Sequence, residues 1–72
     1  MRTKESLKVE IRVLMTEYAK LGGELRREIN AGRTIRMEEL LLARHEILLS
    51  VSHRQGLLVQ VLEVEIEYKE AS

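Results

Sequence analysis

Few side chains in this sequence are of a type and spacing that could do chemistry. His45 and His53 are its 2 histidines, and it has no cysteine. On a helix the two imidazoles would stand roughly 12 Å apart along the axis and about 80° apart around it. That is too wide for one chain to close a shared metal site. Glu46 adjoins His45, yet no i, i+4 set of His, Asp and Glu forms a metal motif. Imidazoles in solvent or at the edge of a seam are the expected reading, with a cross-subunit metal site or pH switch as the alternative. Carboxylates are plentiful at Glu38, Glu39, Glu63, Glu65, Glu67 and Glu70. General acid–base catalysis needs two of them converging in a cleft, usually with one held protonated by burial. The helical spacing of Glu63, Glu67 and Glu70 describes a solvated acidic stripe instead.

Arg26, Arg27, Arg33 and Arg36 crowd one short stretch and make it locally basic. A nucleic-acid-binding hairpin could use such a tip. No aromatic residues interleave with the arginines to stack bases, however, and 12 basic against 12 acidic residues leave a formal charge of zero. A general nucleic-acid binder needs a basic surface that displaces counterions from phosphates. The absence of cysteine excludes disulfides, thiol nucleophiles and thiolate metal sites. The expectation is therefore a protein that is not an enzyme, with no cofactor and no metal, and with a protein partner favoured over a nucleic acid.

The elements that would position these residues follow from composition and period. At 72 residues the chain holds one domain, residues 1–72. It has no Pro, Trp or Phe, and it is 44% hydrophobic and 33% charged. That is the composition of long helices packed along seams, not of a self-sufficient globular core. No apolar run approaches the roughly 20 residues that span a bilayer, and no signal-peptide apolar region follows Met1. A soluble, cytoplasmic chain without membrane association is expected.

Leu7, Ile11, Leu14, Tyr18, Leu21 and Leu25 are spaced alternately by four and three residues, which predicts one apolar stripe on a helix from about Thr3 to Asn30. Thr3 or Ser6 would cap its start. Gly22-Gly23 weakens this helix, but the stripe keeps its phase across the pair. A continuous helix is predicted, with a break as the alternative, and the missing Cβ there would admit a close neighbour. Asn30 to Thr34 reads as a turn, with Gly32 in the left-handed position past the helix end and Thr34 capping the next helix. Glu38 and Glu39 would lie near that helix's positive end.

The second helix is predicted from about Ile35 to Lys69. Leu40, Ile47, Val51, Leu58, Val61 and Tyr68 mark one stripe, and Leu41, Leu48, Leu62 and Ile66 a neighbouring one. So wide an apolar face exceeds what one shorter helix can cover. The fold class is thus all-α, an antiparallel helical hairpin with a longer second helix, completed by oligomerisation or a partner. An α+β alternative remains, because Leu7 to Val13 and Val64 to Lys69 alternate apolar and polar as strands do. The tails, Met1-Arg2 and Ala71-Ser72, are expected to fray.

Leu25-Arg26-Arg27-Glu28-Ile29, a bend at Gly32, and a longer second helix ending in Val59 to Ile66 and Tyr68 resemble the small helical-hairpin co-chaperones of type III secretion needle subunits. The resemblance implies a tetratricopeptide-like or otherwise helical protein partner. The expected partner-binding residues are Leu40, Ile47, Leu48, Val51, Leu58, Val61, Leu62 and Tyr68. The rival expectation is self-association into a homodimeric four-helix bundle with a structural or regulatory role, in which association with nucleic acid stays open.

Overall fold

A computed structural model describes residues 3–71, with the side chains of residues 3–70. Two helices account for nearly all of it: α1, Lys4–Ala31, and α2, Thr34–Ala71. Among the described residues there is no strand, so the α+β alternative is not the one adopted. In the alternating segment, Leu7 turns inward while Val9 and Val13 face solvent on the far side of α1. The tail residues Met1, Arg2 and Ser72 lie outside the described residues.

Thr3 caps α1 as a capping box. Its hydroxyl accepts from the Ser6 amide at 3.1 Å, and the Ser6 hydroxyl accepts from the Thr3 amide at 3.1 Å. The helix then runs unbroken through Gly22-Gly23. It ends where Gly32 takes the left-handed conformation at φ 72°. The amide of Gly32 donates to the Ile29 carbonyl and that of Arg33 to the Glu28 carbonyl, both at 3.1 Å. These two bonds form a Schellman motif and satisfy carbonyls that the helix end leaves open. The connection is so short that Thr34 is the first residue of α2 and not its cap. Glu38 and Glu39 accordingly sit one residue deeper into the helix than expected, and the first turn of α2 holds no acidic residue.

The two helices pack antiparallel into a rod 60 × 18 × 15 Å. On α1 the inward positions are Lys4, Leu7, Ile11, Leu14, Tyr18, Leu21, Leu25 and Glu28, at alternating spacings of three and four. On α2 they are Met37, Leu40, Arg44, Ile47, Val51, Arg54, Leu58, Val61 and Glu65, at the same alternation. This is a heptad seam carried along both helices. Leu7, Leu25, Leu40 and Val51 are its buried side chains.

Charged residues interrupt the seam, and those of α2 are each met from α1. Arg54 Nε donates to Glu10 Oε1 at 3.4 Å, while its Nη1 donates to the Ser50 carbonyl at 3.2 Å. Lys4 Nζ pairs with Glu65 Oε2 at 3.3 Å. The Arg44 guanidinium lies 4.0 Å from the centre of the Tyr18 ring and passes over Gly22. A Cβ there would stand 3.1 Å from Arg44 Nη2. The close neighbour that Gly22 admits is thus a guanidinium.

Candidate functional site

The groups that could do chemistry remain dispersed. His45 and His53 are both exposed, and Glu63, Glu67 and Glu70 face solvent. Among the described residues no group of three or more His, Asp or Glu could hold a metal ion. The arginines of the turn are partly neutralised. Arg33 reaches Glu28 at 3.4 Å, and Arg36 lies 3.1 Å from Glu39 and 3.6 Å from Glu24. The expected basic tip is in good part a salt-bridged surface, each exposed pair contributing little to stability. At the open end of the hairpin, Thr3, Lys4, Leu7, Leu57, Val61 and Val64 line an open groove of about 690 Å³. Of the charged residues along it, Lys4 and Glu65 are paired with each other.

What stands out is the outer face of α2. One residue on from the seam positions Leu40 to Glu65, about 100° around the helix, a second row follows the same spacing: Leu41, His45, Leu48, Ser52, Gln55, Val59, Leu62 and Ile66. Leu41 is 51% exposed, Leu48 42%, Val59 51% and Ile66 56%. Leu42 and Leu49 add further exposed apolar surface beside it. The stripe is nearly as apolar as the α2 side of the inner seam, with five apolar positions in eight against six in nine, and none of its three polar residues is Lys, Arg, Asp or Glu.

The eight residues expected to bind a partner divide between these two faces. Leu40 and Val51 are buried between the helices, and Ile47, Leu58 and Val61 are half-buried there. Their place is in the hairpin itself, because the 3–4 spacing that makes a stripe first serves the helix joined by the turn. Leu48 and Leu62 lie on the outer stripe. Tyr68 is 75% exposed near the end of α2, beyond Glu65, which pairs with Lys4 at the start of α1. Val59, His45, Ser52 and Gln55 also belong to the outer stripe, although none is among the eight. The signal for them is the unbroken 3–4 spacing, which continues through polar positions that an apolar-only reading passes over.

Fold and surface together define an antiparallel two-helix hairpin with an intramolecular heptad seam and a second stripe left open. Among the described residues no helix is long and apolar enough to cross a membrane. No protein-family model, curated protein or solved structure matches the chain.

Proposed function

We propose that this chain is a non-enzymatic protein–protein interaction module, a small adaptor or co-chaperone-like hairpin that offers the outer face of α2 to a helical partner. The observation that carries the reading is the second stripe, Leu41 to Ile66, which repeats the spacing of a packed seam while its leucines stay in water. Exposed apolar rows of this length mark interaction surfaces, and a row at heptad spacing accepts another helix. A concave helical-repeat protein of the tetratricopeptide kind would supply such helices, in keeping with the resemblance to needle-subunit co-chaperones.

The double variant Leu48→Glu/Leu62→Glu tests it, followed by sedimentation and by the fluorescence of an apolar dye. Both residues point away from the inner seam, so the helical circular dichroism should not change. The wild-type chain should either associate or bind the dye, and the variant should do neither. Identical sedimentation and dye binding in the two proteins would refute the reading.

A further inference from the structure

We infer that the occupant of the outer stripe is a second copy of this chain, its α2 laid antiparallel on the first, so that two hairpins form a four-helix assembly. The inference rests on the reading of the stripe as a docking surface and names what docks.

The stripe is complementary to itself. In an antiparallel pair of heptad seams the two numbers in each layer have a constant sum, and an isologous contact uses every layer twice. Setting Leu41 against Ile66 of the second copy places His45 against Leu62, Leu48 against Val59 and Ser52 against Gln55. Leu41 and Leu48 meet apolar side chains, Leu62 meets the His45 ring, and the central polar pair can hydrogen-bond about the two-fold axis. A slip of one heptad in one direction sets Leu48 on Ser52, and in the other sets Val59 on Gln55. Both slips break this match.

Two observations beside the stripe favour the same partner. The Arg44 guanidinium has no carboxylate among the described residues, and its Nε is buried without a hydrogen-bond partner. The antiparallel register brings Glu65 of the second copy to its flank, whereas a parallel pair would give Arg44 a leucine, Leu49, and set Glu65 beside Glu70. Gly56 lies in the interior of α2, exposed, with nothing within 4 Å of where a Cβ would stand. Within the hairpin nothing requires this glycine, which weakens the helix. Across the proposed contact it faces Leu49 of the second copy and leaves room for it.

The chain exposes 5762 Å², about 1,100 Å² more than a compact monomer of 8.4 kDa, a surplus that belongs to the whole rod and to which the outer face of α2 contributes.

The absence of cysteine makes cross-linking a clean test. In the proposed register Leu48→Cys/Val59→Cys should oxidise to a covalent dimer, because each cysteine meets the other kind across the interface. Within one helix the two lie about 16 Å apart, so no internal bond competes. Neither single variant should cross-link, and the wild-type chain should show a dimeric mass by light scattering. Cross-linking of the single variants would overturn the antiparallel register, as would a wild-type dimer whose double variant stays uncoupled. A wild-type monomer overturns the second copy altogether. If that monomer still binds apolar dye through Leu48 and Leu62, the docking surface survives with another occupant. If it binds none, both readings fail.

Discussion

Gly22 and Gly23 are neighbours in one helix, yet alanine should act differently at each. An interior glycine costs a helix about 1 kcal/mol relative to alanine. Gly23 is exposed, with nothing within 4 Å of where a Cβ would stand, so Gly23→Ala should gain nearly all of that and raise Tm by about 4–8 °C. At Gly22 the same gain is opposed. The new methyl would stand 3.1 Å from Arg44 Nη2 and 3.4 Å from its Cζ, displacing the guanidinium from the Tyr18 ring. That contact is worth about 0.5–1 kcal/mol, so Gly22→Ala should be neutral or stabilise by no more than about half a kcal/mol. In an Arg44→Ala background the opposition disappears, and Gly22→Ala should then gain about 1 kcal/mol like its neighbour. The assay is thermal or urea unfolding by far-ultraviolet circular dichroism at one fixed protein concentration, since any assembly couples to stability. Equal gains at the two sites in the wild-type background would show that Arg44 does not rest on Gly22. A loss at Gly23 would show that its face is covered.

Other perturbations separate the two faces of α2 and test the helix start. Leu40 is 2% exposed, and Leu40→Ala should cost about 2–5 kcal/mol in urea unfolding. Leu42→Ala, on the outer side, should stay within about 0.5 kcal/mol. Thr3→Ala removes the hydroxyl that accepts from Ser6 and should cost about 1 kcal/mol. Its amide hydrogen exchange should rise chiefly in the first turn of α1. The charge-bearing test of docking belongs at Leu48 and Leu62. An acidic residue at half-buried Leu58 would open the hairpin and confuse association with folding.

The hairpin itself was readable because its strongest signals are local. Six apolar residues from Leu7 to Leu25 hold one phase for nearly three heptads, and Gly32 marks the one place among the described residues where the backbone turns left-handed. The strand-like alternation from Leu7 to Val13 loses to that phase, since Leu7, Ile11 and Leu14 pack inward together while Val9 and Val13 can remain wet. Less readable were Arg44, Arg54 and Glu65 as seam members. Charge normally marks a solvated face, but long side chains lay their aliphatic stems on an apolar surface and carry the charged group to its edge. Only the opposing helix shows that Tyr18, Glu10 and Lys4 stand there to receive them. For the same reason Leu40 and Val51 could not be told from Leu48 and Leu62 as binding residues. Choosing between two adjacent stripes requires knowing which one the first helix occupies.

That choice explains why one helix carries two seams of similar apolar content without ambiguity in the hairpin. The inner seam places charges at Arg54 and Glu65, and each finds an opposite charge on α1, at Glu10 and Lys4. Arg44 finds the Tyr18 ring. If α1 packed on the outer stripe instead, Glu10 and Lys4 would face Gln55, Ser52 or Ile66, and Arg44, Arg54 and Glu65 would lose these partners. Buried or half-buried charges left alone are costly, whereas paired ones fix register even when their net contribution is small. The polar residues of the outer stripe, His45, Ser52 and Gln55, ask for no such partner on α1. They are compatible with a helix that offers the same neutral groups in reverse order. The charged layers therefore select the intramolecular seam, and the outer row of α2 stays exposed.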